Sequence, residues 1–306
     1  MKDLKETCRL GLIQAAPVMF DKAASLKKAL EWIEKAAEKD AELIVFPELF
    51  LPGYPFGMTF GFTVGSRSED GRKDWKLYYD NSVVCPGAET AAIGAAAKKH
   101  HAYISIGVSE RDDTTGTLYN TNLMFTPDGA LASVHRKLKP TGAERFVWGD
   151  ANRGYFPTID SPWGPLGSLI CWENYMPLAA LYERGVNILI APNTNDVPSW
   201  INTVQHIGLE GRCYFINADM VFTRDDYPRA RLHCSEEIDR LPEIVCRGGS
   251  CVIDPFGNFY TEPVWDKEEL IVTTLDLGKA ASAKMEFDPC GHYARPDVLE
   301  LRINDK

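Results

Sequence analysis

The sequence predicts a mixed-sheet α/β domain with its helices on the outside. Two observations carry this. Helical and strand signals alternate through the first part of the chain, and hairpin signals are interleaved with them. Short apolar runs such as Leu43 to Phe46 show no polar alternation, which fits strands buried on both faces.

The elements follow in order. Arg9 to Ala16 is apolar and ends at Pro17, so it reads as a first strand. Ser25 to Lys39 puts Leu26, Leu30, Ile33 and Ala37 on one face and lysines and glutamates on the other, an amphipathic helix. Pro47 and Glu48 follow the Leu43 to Phe46 strand at once. Leu51 to Gly71 mixes Tyr54, Phe56, Phe60 and Phe62 with Gly53, Gly57, Gly61 and Gly65 and carries no period. It reads as a long loop, and loops of that length are often functional. Glu89 to His100 is helical, and Tyr103 to Val108 and Asn120 to Phe125 are strands. Pro127–Asp128–Gly129 turns the chain into the strand Leu131 to Arg136. From Gly167 a short buried strand runs until it stops at Cys171, and Pro177 suits the first turn of the next helix. Leu178 to Arg184 and Trp200 to Arg212 read as helices, Asn187 to Ala191 and Cys213 to Ala218 as strands. Arg224 to Gly249 is polar and charged, with no assignable element; it reads as a subunit contact or a lid. Ser250 to Ile253, the turn Pro255–Phe256–Gly257 and Ile271 to Leu275 give a strand-rich ending. No linker or repeat divides the chain, so residues 1–306 are read as a single domain.

Bulk properties exclude several classes. The 306 residues are 45% hydrophobic and 25% charged, ordinary for a globular protein. The net charge of −10 argues against nucleic acid or an anionic membrane as partner. No apolar run approaches the ~20 residues that span a bilayer. Met1 to Glu6 is charged, which points to the cytoplasm. Eight irregularly spaced cysteines fit reduced thiols. Cys246 and Cys251 have no second pair at ligand spacing, so no metal site is expected.

Three strand-terminal residues can serve one chemistry. A thiol at the Cys171 junction faces whatever cleft the strand ends form, and the chain after it can aim backbone N–H groups at developing charge. A thiol is nucleophilic only as thiolate, so it needs a base or a cation nearby. Glu48 can be that base. Lys137, in His135–Arg136–Lys137–Leu138–Lys139–Pro140, can stabilise the anion formed on attack. Taken singly, Cys171 is as well a core cysteine, Glu48 a helix cap and Lys137 a solvated edge-strand charge.

Around these residues the sequence resembles the nitrilase superfamily of carbon–nitrogen hydrolases, whose members use a Glu–Lys–Cys triad. The likeness runs from Gly11–Leu12–Ile13–Gln14–Ala15–Ala16–Pro17 to Gly291–His292–Tyr293–Ala294–Arg295–Pro296–Asp297. Three blocks resemble the nitrilase branch. They are Phe46–Pro47–Glu48 with Pro52–Gly53–Tyr54–Pro55; Arg136 to Thr141 with Ala143–Glu144–Arg145 and Val147–Trp148–Gly149; and Cys171–Trp172–Glu173–Asn174–Tyr175–Met176–Pro177–Leu178. The resemblance implies a four-layer α-β-β-α sandwich forming a single carbon–nitrogen hydrolase domain. It implies Cys171 as nucleophile, Glu48 as general base, Lys137 as charge stabiliser and Glu144 as a second glutamate beside the cysteine. A surface ion pair with Arg145 is the alternative for Glu144. The implied reaction turns an organic nitrile into a carboxylic acid and ammonia, without cofactor or metal, in a homodimer or larger homo-oligomer.

An amidase or a cyanide-hydrating relative could use the same three residues, though Asn174 stands where cyanide-degrading relatives more often carry histidine. A non-catalytic scaffold of the same fold has no need of them. The substrate pocket is expected to be apolar, with Tyr54, Trp172 and loop aromatics. Two departures stand out. Gly142 occupies a place where many nitrilases have histidine, which predicts altered substrate fit or acid-to-amide partitioning. The chain ends soon after the Gly291–Asp297 block, so long filaments are not expected.

Overall fold

Strand residues point alternately into two different apolar layers, and that alternation builds the architecture. The computed structural model describes residues 4–151, 156–176 and 178–302. The first half contains β1 (Thr7–Gln14), α1 (Lys22–Ala37), β2 (Leu43–Val45), α2 (Glu69–Asp80), α3 (Ala88–His100), β3 (Tyr103–Arg111), β4 (Leu118–Phe125) and β5 (Leu131–Arg136). The second half contains β6 (Thr158–Ile159), β7 (Leu166–Ser168), α4 (Ala179–Glu183), β8 (Ile188–Asn193), α5 (Pro198–Gly211), β9 (Tyr214–Asp219) and β10 (Val221–Thr223). It closes with α6 (Ser235–Asp239), β11 (Ile244–Ile253), β12 (Phe259–Trp265), β13 (Glu269–Asp276) and α7 (Gly278–Ala283).

Two mixed sheets result. One has the order β13-β1-β2-β3-β4-β5; the other has the order β10-β11-β9-β8-β7-β6, with β12 paired to β11. At the heart of each sheet the strands are parallel, β1–β2–β3 in one and β7–β8–β9 in the other. Leu10, Leu12, Leu43, Val45, Ile188, Ile190, Tyr214 and Ile216 pack between the sheets. Their chain neighbours turn outward. Ile13, Ile44 and Phe46 meet Ala29, Ile33 and Ile93 of α1 and α3. Leu189, Ala191 and Phe215 meet Trp200, Val204 and Ile207 of α5. Helix, sheet, sheet and helix therefore stack as the expected four-layer sandwich, and each buried Leu, Ile or Val contributes about 1.5–3 kcal/mol. Polar links also cross between the sheets. Gln14 Oε1 accepts the N–H groups of Gly249 and Ser250 at 3.1 and 2.9 Å, and Asn122 Nδ2 donates to Ser168 Oγ at 2.8 Å.

Differences from the sequence expectation have local causes. Helix α1 starts at Lys22 rather than Ser25, because Asp21 caps it by accepting the Ala24 N–H at 3.0 Å. Helix α2 has no apolar stripe to betray it: its buried residues are Gly71, Asp74 and Tyr78. It is held instead by Asp74, whose carboxylate accepts the backbone N–H groups of His233 and Cys234 at 2.8–3.0 Å. The unassigned stretch before Gly249 contains α6 and the start of β11. Glu237 of α6 ties down the aromatic loop by accepting the N–H groups of Thr59, Phe60 and Gly61 at 2.9, 3.2 and 3.1 Å. Strand β12 lacks any buried residue, so apolar patterning does not mark it. Pro177, expected to open the helix after Cys171, lies outside the described residues.

One glycine sets the approach of the Glu48 segment. A Cβ at Gly107 would stand 2.3 Å from the Leu49 nitrogen and 2.6 Å from the Pro47 oxygen, both backbone atoms. Only glycine lets that segment lie against β3. Gly107→Ala is expected to displace the Pro47–Leu49 segment and cost about 1–3 kcal/mol of stability. Urea unfolding checks this; an alanine variant as stable as the wild type would show that the close approach is unimportant.

Candidate active site

Strand ends from both sheets deliver the site. Glu48 lies just past β2. Lys137 is the residue after β5, and its backbone N–H donates to the Asn120 carbonyl at 2.7 Å, extending the ladder in which Thr121 faces Arg136. Glu144 sits on a short helical turn, Gly142–Phe146, whose start it caps by accepting the Thr141 N–H at 2.7 Å. Cys171 opens a second such turn, Cys171–Tyr175, just past β7.

The acidic side chains converge on Lys137. Its ammonium donates to Glu48 Oε1 at 2.9 Å and to Glu144 Oε2 and Oε1 at 2.9 and 3.1 Å. Asn120 Nδ2 donates to Glu48 Oε1 at 2.6 Å, and the Tyr54 hydroxyl to Glu144 Oε1 at 2.8 Å. Glu48 and Lys137 are each only 1% exposed. Glu48 Oε2 is buried and has no hydrogen-bond partner among the described residues.

Cys171 is also buried, and its φ of +49° lies in the left-handed region that non-glycine residues seldom occupy. Such strain persists only where surroundings impose it. Here Asn174 does so, with Nδ2 donating to the carbonyls of Leu169 and Cys171, both at 2.9 Å.

The electrostatics follow from burial and from two carboxylates facing one ammonium. Burial pushes the Cys171 thiol well above its ordinary range; the charge of Glu48 adds to this and Lys137 opposes it. Glu48 is raised as well, by burial first, with Lys137 acting against it and Glu144 with it. Burial works against the Lys137 ammonium, but Glu48, Cys171 and Glu144 outweigh it and raise its pKa. Tyr54 is pushed up by burial and by the neighbouring Glu144. At rest the site therefore holds a neutral thiol, an ammonium and a carboxylate able to take a proton.

Glu48, Lys137, Glu144 and Tyr54 thus form one hydrogen-bonded cluster, and Cys171 lies within its electric field. The Arg145 alternative for Glu144 is not what the structure contains: Arg145 Nε donates to the Pro140 carbonyl at 3.1 Å. Trp172 stands apart. It is half-exposed, its ring meets Tyr175 edge-on at 5.8 Å, and no hydrogen bond joins it to the cluster among the described residues. Asn120 is a member that motif spacing does not reveal, although its place opposite Lys137 in a hairpin is a usable signal. Gly142 has φ +53°, and a Cβ there would meet nothing within 4 Å. Among the described residues, no group of three or more His, Cys, Asp or Glu side chains could hold a metal ion, and no helix is long and apolar enough to cross a membrane.

Comparison with known proteins bears on what this arrangement belongs to. The carbon-nitrogen hydrolase family profile matches residues 9–285. An aliphatic nitrilase of Sinorhizobium fredii is 41% identical, over 97% of this chain and 96% of its own length. Nitrilase 2 of Arabidopsis thaliana is 41% identical over 97% of this chain and 88% of its own. A bifunctional nitrilase/nitrile hydratase of Nicotiana tabacum is 41% identical over 98% and 86%. Among solved structures, a nitrilase-superfamily member of Saccharomyces cerevisiae superposes with a TM-score of 0.74 at 22% identity, covering 96% of this chain and 99% of that one. A carbon-nitrogen hydrolase of Helicobacter pylori gives a TM-score of 0.73 at 22% identity, covering 95% and 96%. The structures speak for the fold alone; the profile and the sequence relatives, matched nearly end to end, place the chain in the carbon-nitrogen hydrolase family, in its nitrilase branch.

Proposed function

We propose that this protein hydrolyses an organic nitrile to the carboxylic acid and ammonia through covalent intermediates on Cys171. The observation that carries the reading is the Lys137 ammonium shared by Glu48 and Glu144, next to a thiol held in a strained elbow. Near-full-length likeness to nitrilases points the same way. The whole chain, 1–306, works as a single carbon–nitrogen hydrolase domain. The enzyme is cytoplasmic, where eight free thiols stay reduced, and it assembles as a homodimer or larger. Its partner is a small nitrile rather than nucleic acid or membrane, in keeping with a net charge of −10.

The chemistry proceeds in balanced steps. The Cys171 thiol gives its proton to the free oxygen of Glu48 as sulfur bonds the nitrile carbon. Glu48 passes that proton to the nitrile nitrogen, giving a neutral thioimidate and freeing its carboxylate. A first water adds across the carbon–nitrogen double bond, with a carboxylate of Glu48 or Glu144 moving its proton. The resulting tetrahedral carbon carries hydroxyl, amine and sulfur, and Lys137 stabilises charge on its oxygen, helped by the backbone N–H of Trp172. Ammonia leaves and a thioester remains. A second water releases the acid and returns the proton to sulfur. If the carbon–sulfur bond breaks first, the product is the amide. Tyr54 and Trp172 contribute to the wall of the substrate pocket. The alternative, an amidase or a cyanide-hydrating enzyme, has no feature of the site in its favour over this one.

A panel of an aromatic, an arylaliphatic and an aliphatic nitrile, with their amides, tests the reading. Ammonia and acid are expected from at least one nitrile, with the matching amide inert. Cys171→Ala should lower turnover by at least about a thousandfold while leaving the circular dichroism spectrum unchanged. Amide turnover with silent nitriles would move the protein to the amidase side.

The raised pKa of Glu48 sets the acid limb. The base form exists only above that pKa, so the rate falls as pH drops through it. The acid limb of kcat/KM should lie above the ordinary glutamate value of about 4.3; a limb at or below that value would remove Glu48 as the base. Gly142→His should alter the acid-to-amide ratio while retaining turnover of the best nitrile within about tenfold. The space is open, and histidine is one of the residues that tolerates this φ. Product analysis by chromatography decides it, and an unchanged ratio would count against the expectation.

A further inference from the structure

We infer that Glu173 is a positioning residue that fixes Lys137 and Cys171 relative to each other across the two sheets. The inference rests on the roles proposed above for those two residues. Lys137 is carried by β5 of one sheet, and Cys171 follows β7 of the other. Nothing in the sheet ladders sets the distance between them. Glu173 does so with a single carboxylate. Its Oε1 accepts the backbone N–H of Leu138, the residue after Lys137, at 2.6 Å. Its Oε2 accepts the backbone N–H of Ile170, the residue before Cys171, at 2.7 Å. The His135 imidazole, two residues before Lys137, meets the same Oε2 at 2.8 Å through Nε2. Glu173 is 1% exposed.

This contact differs in kind from the other cross-sheet link nearby. Asn122 and Ser168 join side chain to side chain, Ser168 lying three residues before Cys171. Glu173 instead grips main chain on both sides, at the two positions adjoining the proposed catalytic residues. A carboxylate is rigid and planar, so the two strand ends are held to the span of one functional group. Burial alone would push Glu173 up, but His135 and the two backbone N–H groups hold it below the usual range, so it is an anion with acceptor capacity on both oxygens. An added negative charge near Cys171 does not favour a thiolate. The contribution of Glu173 is therefore geometric rather than activating.

The amide of Glu173→Gln has one acceptor oxygen and one NH2 group. It can accept from Leu138 or from Ile170, while its NH2 faces the remaining N–H donor to donor. The shorter Glu173→Asp keeps two acceptors but draws them back by a methylene. Neither change touches substrate. The expected result for Glu173→Gln is a kcat lower by about 30- to 300-fold with KM within about threefold, because misplacement of reacting groups by about an ångström costs on the order of a hundredfold. Glu173→Asp should recover part of this, losing about 5- to 20-fold.

Ser168→Ala serves as comparator. It removes the Asn122–Ser168 contact between the sheets and should lower the melting temperature with kcat retained. The wild type, the three variants and Cys171→Ala are assayed on a nitrile that the wild type converts, with melting temperatures measured alongside. The proposal is overturned if folded Glu173→Gln keeps kcat within threefold, or if its loss tracks melting temperature along the same line as Ser168→Ala. If the glutamine variant does not fold, the aspartate variant decides, and a kcat within twofold of wild type overturns it. Activity surviving in Cys171→Ala would instead strike the proposed function itself, whatever the Glu173 variants do.

Discussion

One buried ammonium has to satisfy two buried carboxylates, and much of the molecule follows from that. Taking isolated ions out of water costs several kcal/mol each even after relaxation. Lys137, Glu48 and Glu144 tolerate the interior because their partners are in place beforehand. Asn120 and Tyr54 donate to the carboxylates, and the Thr141 N–H fills a further acceptor. The arrangement still carries one negative charge in excess. That excess, together with burial, is why the thiol stays protonated and why Glu48 holds a proton more readily than a surface glutamate. A thiolate formed in advance would add a second excess charge in a low-dielectric place. In the proposed reaction the nucleophile forms instead as the electrophile arrives.

Such a cluster needs strand ends that do not drift. The parallel centre of each sheet is buried on both faces, so a one-residue slip would move every inward side chain to the wrong layer. Leu43 and Val45 pack between the sheets while Ile44 and Phe46 pack under α1 and α3, which fixes where Glu48 emerges. Gly107 then lets the chain beyond β2 lie directly on β3. Helix packing secures each sheet separately, but it says little about how one sheet is registered on the other. That task falls to polar contacts between them, from Gln14, from Asn122 and from Glu173. Polar contacts are suited to it because hydrogen bonds are directional where apolar packing is not.

The sequence was legible where hydrophobic period and strand termination coincide. Leu43 to Phe46 followed by Pro47–Glu48, and the stretch from Gly167 ending at Cys171, announce both a buried strand and a polar residue at its mouth. Lys137 stands out less from its own strand, and only the resemblance of the block Arg136 to Thr141 singles it out. What remained hidden relies on polar contacts distant in sequence. Helix α2 is anchored by Asp74 to His233 and Cys234, and no apolar stripe advertises that. Strand β12 is only half-buried along its length, so alternation is absent. Asn120 and Glu173 look like ordinary polar residues until the hairpin and the elbow bring them to the ends of other segments. Trp172 shows the opposite limit: proximity to Cys171 in sequence does not bring its indole to the cluster.

The same electrostatics bear on which product the proposed reaction gives. Nitriles and amides both present carbon bonded to nitrogen, and a thiol flanked by a base and an ammonium can attack either. The tetrahedral species is where the outcomes divide. Thiolate is intrinsically a better leaving group than an amine, so acid forms only if nitrogen is protonated before the carbon–sulfur bond breaks. In the proposed reaction the donor is a carboxyl on the shared ammonium, Glu48 or Glu144, carrying the remaining proton of the first water. A Glu48 with a raised pKa would hold such a proton within the site until nitrogen takes it. Delivery also depends on where nitrogen points, and that is set by whatever the rest of the substrate touches. Glu144 rides on the turn that Gly142 begins, at a backbone angle few residues adopt. A change there reorients a proton donor, or the substrate beside it, while Glu48, Lys137 and Cys171 stay in place. In the proposed reaction, product partition is thus adjustable from outside Glu48, Lys137 and Cys171.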